Sequence, residues 1–172
     1  CPLHGPVLKE DLGHYIDKYN IWSSYGVESE GVFIAYASVY GNTRKAADML
    51  ASKLADKGVH VTVSDLSRDD WAECLEDAFR YGKLVLAAPT YNADVFPAMK
   101  EFINHLTERN YQNRTIGIIE NGSWAPMAAK VMKGMFEKSK NITFAENTVT
   151  VRSAVNAANE AQIEALAEEL KG

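Results

Sequence analysis

The stretch 32-VFIAYASVYGNT-43 decides the fold of this chain. Its first half, residues 32–37, is an apolar run typical of a buried strand, and a helical pattern begins at Thr43 and continues to Lys57. The residues between them are small or hydroxylated, so backbone N–H groups and hydroxyls converge beside the positive end of a helix dipole. This arrangement predicts an anion site, most naturally for a phosphate. No Lys or Arg lies within 38–43, so amides and hydroxyls would bind the phosphate without a cationic side chain.

From residue 32 onward the chain alternates strand and helix patterns. Apolar runs occur at 32–37, 59–64, 84–88, 115–119 and 148–152, and helical patterns at 43–57, 71–80, 97–109, 126–138 and 160–171. The strands are almost continuously hydrophobic, as buried parallel strands are. We therefore predict an α/β fold, a doubly wound five-stranded parallel sheet with right-handed crossovers and helices on both faces. Ligands of such sheets bind beyond the carboxyl ends of the strands.

The loop after the first strand is the predicted phosphate loop, and its candidate residues are Ser38, Val39, Tyr40, Gly41, Asn42 and Thr43. Ser38, Asn42 and Thr43 offer polar side chains, and glycine at position 41 permits close approach of the backbone. A simpler interpretation is that Asn42 or Thr43 only caps the helix. Capping and phosphate binding are compatible, and capping alone does not explain why the whole turn is small and hydroxylated.

Two further loops should reach the same edge of the sheet, after the third and fourth strands. Their candidate residues are Pro89, Thr90, Tyr91, Asn92 and Ala93, and then Asn121, Gly122, Ser123, Trp124 and Ala125. Taken alone, the loop 89–93 is typical of an ordinary loop with a partly buried tyrosine. The tryptophan of the loop 121–125, taken alone, could be only a lid on the core. Together with a phosphate loop, the two aromatic rings favour stacking on a planar ligand.

Composition and motifs exclude several classes of function. The formal net charge of −5 disfavours nucleic acid as a partner, since phosphate backbones are bound by clustered Lys and Arg. No apolar stretch approaches the roughly 20 residues that span a bilayer, so no membrane is expected. The chain contains neither GxGxxG nor GxxxxGK[ST], which disfavours dinucleotide binding and NTP hydrolysis. Two cysteines without CxxC spacing fit a reducing cytoplasm.

Residues 1–30 differ from the rest. Pro and Gly interrupt the first eight residues, and a short helix is indicated where Leu12, Tyr15, Ile16 and Tyr19 recur at helical spacing. We interpret this segment as a linker or the tail of a preceding domain.

The loop Ser38-Val39-Tyr40-Gly41-Asn42-Thr43 resembles the FMN phosphate loop of the flavodoxins. The resemblance implies a flavodoxin-like FMN-binding domain over residues 31–172, with strand order 2-1-3-4-5. In that family the second and third loops enclose the isoalloxazine ring, which implies ring contacts from 89–93 and 121–125.

The segment Cys1-Pro2-Leu3-His4-Gly5-Pro6-Val7, followed by Tyr19-Asn20-Ile21-Trp22-Ser23, is similar to the domain junction of the flavodiiron proteins. The resemblance implies that residues 1–30 end a diiron domain and that His4 is an iron ligand only in a full-length protein. It further implies an electron relay from a rubredoxin-type donor or reductase to a diiron site of the same or a partner subunit, which reduces O2 or NO. A head-to-tail homodimer would bring the two sites together. One histidine cannot hold two irons, so we expect no iron in this chain alone and no complete catalyst.

Two other functions remain open at this stage. A stand-alone flavodoxin-like NAD(P)H:quinone reductase shares the fold, although nothing in 32–172 marks a nicotinamide site. A response-regulator-like module also shares it, but it needs a phosphorylatable Asp where this chain has Ala88-Pro89-Thr90.

Overall fold

The computed structural model describes residues 3–172, so Cys1 and Pro2 of the junction segment lie outside the described residues. The helices are α1 (Leu12–Ser23), α2 (Asn42–Asp56), α3 (Trp71–Arg80), α4 (Pro97–Glu108), α5 (Ala128–Met135) and α6 (Ala157–Leu170). The strands are β1 (Ser29–Tyr36), β2 (Val61–Asp65), β3 (Tyr81–Tyr91), β4 (Asp94–Val95), β5 (Arg114–Asn121) and β6 (Ile142–Val151).

The sheet confirms the predicted architecture. Its order is β2-β1-β3-β5-β6 with all four pairings parallel, which is 2-1-3-4-5 when only the five parallel strands are numbered. Successive residues of a strand point to opposite faces, so Phe33 packs in the layer beneath α3, α4 and α5, whereas Ile34 packs beneath α2 and α6. Two cores, one on each face, therefore hold the sheet between helices.

Several predicted boundaries were wrong. The last parallel strand begins at Ile142 rather than 148, because the ladder is irregular between Ile116 and Ile118 and accommodates residues 145–147, which include the polar Glu146 and Asn147, as a bulge. Helix α5 is shorter than predicted, and α6 begins at Ala157 because Asn156 caps it through a capping box. The short antiparallel strand β4 was not predicted.

No helix within residues 3–172 is long and apolar enough to cross a membrane.

Candidate functional site

A cavity of about 300 Å³ lies at the carboxyl edge of the sheet, where the three predicted loops meet. This volume is at the lower end of the range of about 300–1,000 Å³ for ligand pockets. Its lining residues are Ser38, Val39, Tyr40, Asn42, Thr43, Pro89, Thr90, Tyr91, Asn121, Gly122, Ser123 and Ser153. The other predicted site residues, Gly41, Asn92, Ala93, Trp124 and Ala125, belong to the same loops without lining the cavity.

The phosphate loop leaves the start of α2 open. Gly41 occupies the N-cap position with φ 85°, and its N–H donates to Ser38 Oγ at 3.1 Å. No side chain caps the helix, so the expectation that Asn42 or Thr43 does so was wrong. The reason is that both residues already lie in the first helical turn, beyond the position from which a side chain reaches back to free N–H groups. The N–H groups of that turn have no partner in the helix and remain free for an anion.

Thr43 is the residue of the loop whose position points most directly to a ligand. It is only 2% exposed, and it lines the cavity. Its hydroxyl forms no hydrogen bond within residues 3–172, and it is open to the cavity rather than sealed in the core, because Arg114 Nε is the one unpaired buried side-chain N or O atom of those residues. An oxygen of a bound phosphate would supply the missing partner.

The electrostatics of the cavity come from the backbone. Within residues 3–172, no Lys, Arg, Asp or Glu side chain lines it. Arg44, in the first turn of α2, faces a neighbouring cavity and approaches Asp48 at 3.4 Å, with both side chains largely exposed. The positive end of the helix dipole therefore supplies the attraction for an anion.

The second loop is a tight hairpin that is fastened to the third. Asn92 and Ala93 form its two-residue turn, both with positive φ (50° and 60°), between β3 and β4. Thr90 Oγ1 accepts hydrogen bonds from the backbone N–H groups of Met127 at 2.9 Å and Ala128 at 3.1 Å. The Thr90 hydroxyl thus satisfies the start of α5 and joins two walls of the cavity.

The third loop is held by the end of β6. The Asn121 side chain donates to the Ser153 carbonyl at 3.1 Å and accepts from the Ser153 N–H at 3.1 Å, and the hydroxyls of Ser123 and Ser153 lie 2.6 Å apart. A Cβ at Gly122 would lie 3.0 Å from Pro126 Cα and 3.1 Å from Thr90 Oγ1. Only glycine fits there without displacing a neighbour.

Sequence reasoning missed Ser153 and Glu120. Ser153 closely follows the last parallel strand, whose carboxyl end must reach the same edge, and that loop was not considered. Glu120 is 8% exposed; its carboxylate accepts from the Ala129 N–H and the Thr150 hydroxyl, each at 2.9 Å, and so fixes α5 to the sheet behind the site. The sequence signal that could have identified Glu120 is a single carboxylate in an otherwise apolar strand.

Aromatic rings surround the mouth of the cavity. Tyr91 is 49% exposed and packs edge-on against Phe96, with ring centroids 5.9 Å apart. Tyr40 and Trp124 are 91% and 95% exposed. The interpretation of Trp124 as a lid on the core is therefore wrong, whereas its stacking on a ligand stays a prediction.

One ionisable group near the mouth has a shifted pKa. Asp94, in β4, accepts a hydrogen bond from Lys100 Nζ at 2.5 Å and one from the Val95 N–H. The Lys100 hydrogen bond is the main reason that the pKa of Asp94 is lowered.

The described residues offer no metal centre. Within residues 3–172, no three or more His, Cys, Asp or Glu side chains are grouped so that they could hold a metal ion. His4 is exposed, and its role as an iron ligand in a full-length protein stays a prediction.

Comparison with known proteins supports the doubly wound α/β fold described above. A family model described as "Flavodoxin domain" matches residues 33–155. The coenzyme F420H2 oxidase of Methanothermobacter marburgensis is 30% identical over 67% of this chain and 28% of its own length. The nitric oxide reductase of Moorella thermoacetica is 24% identical over 88% of this chain and 38% of its own. The chain thus spans less than two fifths of the length of these relatives.

Eight of the matching solved structures fall into two groups by the share of this chain that they cover. Rubredoxin oxygen:oxidoreductase of Desulfovibrio gigas superposes with a TM-score of 0.85 and 19% identity, over 93% of this chain and 39% of its own. This structure and three flavodiiron structures cover 93–98% of this chain but only 39–42% of theirs. Four flavodoxins cover 81–83% of this chain and 96–97% of theirs.

The predicted resemblance to flavodoxins and flavodiiron proteins is confirmed by these matches, and they support FMN as the cofactor. The family model covers most of the chain and includes all three loops of the cavity. This chain belongs to the flavodoxin domain family.

Proposed function

We propose that this chain is an FMN-binding electron-transfer domain, with the phosphate bound by 38–43 and the flavin ring between Tyr91 and Trp124. The observation that carries the proposal is the open start of α2 beside the cavity, with the Thr43 hydroxyl directed to no partner among the described residues. The cavity is uncharged, polar on the helix side and aromatic at its mouth, which fits a phosphate joined to a planar ring.

The residues of the chain would hold the cofactor rather than react. FMN supplies the redox chemistry when bound, and the protein supplies position and electrostatics. The first-turn N–H groups of α2 and the hydroxyls of Ser38 and Thr43 would bind phosphate oxygens. Thr90 and Glu120 would keep the walls in place through their hydrogen bonds to α5. Tyr91 and Trp124 would exclude water from the faces of the ring.

The direction of electron flow is also a proposal. We infer that electrons arrive from a rubredoxin-type donor or reductase and leave for a diiron site that reduces O2 or NO, in the same or a partner subunit. The relatives include a nitric oxide reductase and a rubredoxin oxygen:oxidoreductase, and their activities support it. On this proposal, residues 1–30 are the tail of the diiron domain and residues 31–172 the FMN domain.

Titration of the apoprotein with FMN tests the cofactor assignment. We expect stoichiometric binding with quenching of flavin fluorescence, and weaker binding of riboflavin, which lacks the phosphate. No flavin binding would refute the proposal, and equal affinity for both flavins would refute the phosphate loop.

Replacement of Trp124 by Ala tests the position of the ring. We expect weaker FMN binding and a shifted flavin potential, with an unchanged melting temperature of the apoprotein, because the side chain is almost fully exposed. Trp22→Ala, at the other exposed tryptophan, is the control and should leave FMN affinity unchanged. A Trp124→Ala variant with the wild-type affinity and potential would remove Trp124 from the site.

A further inference from the structure

A second cavity, of about 620 Å³, lies at the edge of the sheet where the parallel strands begin, and we call it the amino-edge cavity. Three aromatic residues and three arginines define it: Trp22, Tyr25, Phe79, Arg80, Arg109 and Arg114. Arg114 is the first residue of β5, whereas Asn121, at the proposed FMN site, is the last. At about 3.3 Å per residue, β5 places the two sites about 23 Å apart. A small molecule in the amino-edge cavity therefore cannot touch a flavin in the other site.

The aromatic residues form an apolar wall. The rings of Tyr25 and Phe79 have centroids 6.4 Å apart. Trp22 is 58% exposed, yet its Nε1 donates to a Glu28 oxygen at 2.6 Å, which fixes the orientation of the indole. Tyr25 has a φ of 56°, a left-handed conformation that glycine usually adopts after a helix. These rings offer flat faces to an aromatic ligand.

The carboxylates that line the cavity are already engaged. Glu28 also accepts a hydrogen bond from Lys18 Nζ at 2.7 Å, and this bond is the main reason that the pKa of Glu28 is lowered. Glu76 forms an ion pair with Arg80, which also donates to Asp77 at 2.9 Å. Neither glutamate is therefore available to neutralise the other two arginines.

Arg114 is a buried cation without a counter-ion. It is 3% exposed, and its guanidinium donates only to backbone carbonyls, including those of Tyr25 at 2.8 Å and Phe79 at 2.6 Å. Within residues 3–172 it forms no ion pair, and its Nε has no hydrogen-bond partner. Buried charges in proteins are normally paired. An anion in the adjoining cavity would supply the missing opposite charge.

Arg109 adds an accessible cation to the same cavity. Its side chain is exposed, donates to the His105 carbonyl at 2.9 Å, and forms no ion pair within the part of the chain that the structure describes. A guanidinium of this kind can bind a carboxylate through two parallel hydrogen bonds. With three arginines and two glutamates, the lining is net positive in a chain whose formal net charge is −5.

We propose that the amino-edge cavity binds a small aromatic carboxylate, with its ring against Trp22 and Phe79 and its carboxylate toward Arg109 and Arg114. The volume of the cavity lies within the range of about 300–1,000 Å³ for ligand pockets. The ligand is distinct from the flavin, and its binding does not depend on the proposed function.

Titration with 2-naphthoate and with 2-naphthamide tests the proposal. The two probes have nearly the same shape, but only naphthoate is charged. Proton–nitrogen correlation spectra of residues 1–172 would be recorded without FMN and with excess FMN. We expect naphthoate to shift the Trp22 indole N–H signal and the amide signals of residues 24–28 in both samples. It should bind about tenfold more tightly than naphthamide, because hydrogen bonds to a charged group are stronger.

Two variants separate the charge from the aromatic wall. Arg109→Gln should weaken naphthoate binding about fivefold and leave naphthamide binding unchanged. Arg68→Gln, at an exposed arginine outside the cavity, is the matched control for the loss of one positive charge and should change neither affinity. Trp22→Ala should weaken the binding of both probes and leave FMN affinity unchanged.

Four results would overturn the proposal. They are the absence of shifts at millimolar naphthoate, equal affinity for the two probes, an Arg109→Gln variant with the wild-type affinity for naphthoate, and displacement of naphthoate by FMN. Displacement would place the probe in the flavin site. A failure of the chain to bind FMN would refute only the cofactor proposal, because the probe titration is also read in the sample without FMN.

Discussion

Replacement of Thr43 by Val is expected to weaken FMN binding without destabilising the apoprotein. Valine keeps the volume of the buried side chain and removes only the hydroxyl, which has no hydrogen-bond partner in the described part of the chain. In the holoprotein that hydroxyl would donate to a charged phosphate oxygen. A hydrogen bond to a charged group contributes about 1.5–3 kcal/mol, so Kd for FMN should rise roughly 10- to 150-fold.

The assay is a fluorescence titration of the apoprotein with FMN and, in parallel, with riboflavin. Because riboflavin lacks the phosphate, its Kd should be nearly the same for Thr43→Val and the wild type. Thr107→Val is a matched control: its hydroxyl donates to the Ile103 carbonyl near the end of α4, away from the cavity. This control should leave both affinities unchanged.

The reasoning would be refuted in either of two ways. A folded Thr43→Val variant that binds FMN within twofold of the wild type would show that the hydroxyl does not contact the cofactor. Equal loss of affinity for FMN and riboflavin would show that position 43 acts through the shape of the cavity rather than through the phosphate.

Three further changes test the framework of the fold and one wall of the site. Arg114 donates hydrogen bonds to five backbone carbonyls, and Arg114→Leu removes all of these donors. Urea denaturation should therefore show a loss of about 2–5 kcal/mol in the free energy of unfolding. A loss below about 1 kcal/mol would contradict the stabilising role of these hydrogen bonds. In Gly122→Ala the added Cβ should push two loops apart and weaken FMN binding, measured by titration, by about 1–3 kcal/mol. The control is Gly134→Ala, in which the added Cβ meets open space, and this variant should bind FMN normally. Glu164 has a pKa lowered from 4.5 to about 2, mainly by hydrogen bonds from Lys53 and Lys57, so its contribution to stability is present above pH 4.5 and is lost as the pH falls toward 2. The difference in urea midpoint between wild type and Glu164→Gln should shrink as the pH falls over that range. A difference that stays constant with pH would show that the ion pairs of Glu164 with Lys53 and Lys57 are not the source of this stability.

The parts of the site that sequence reasoning located are those with a local signal. A strand that ends in a small, hydroxylated turn before a helix can be read from twelve consecutive residues, and 38–43 does form one wall of the cavity. The parallel sheet followed from the alternation of patterns, because parallel strands need a crossover connection of about a dozen or more residues, which is usually a helix. The second and third loops followed from the rule that the carboxyl ends of the strands share one edge.

Other features depended on residues far apart in the chain. Ser153 enters the site only because β6 lies beside β5, and the stretch 145–147 stays within the strand only because the ladder can bulge. The helical spacing of Leu12, Tyr15, Ile16 and Tyr19 predicted a helix but could not show which surface that helix covers.

The sequence by itself determined the elements, their order and the chemistry of the phosphate loop, since propensity and hydrophobic period act over a few neighbouring residues. Only the tertiary structure decided that α2 starts uncapped, that Trp124 lies outside the core and that Arg114 anchors an exposed helix. Each of these features depends on contacts between residues that are far apart in the chain, and such contacts produce no periodic pattern in the sequence.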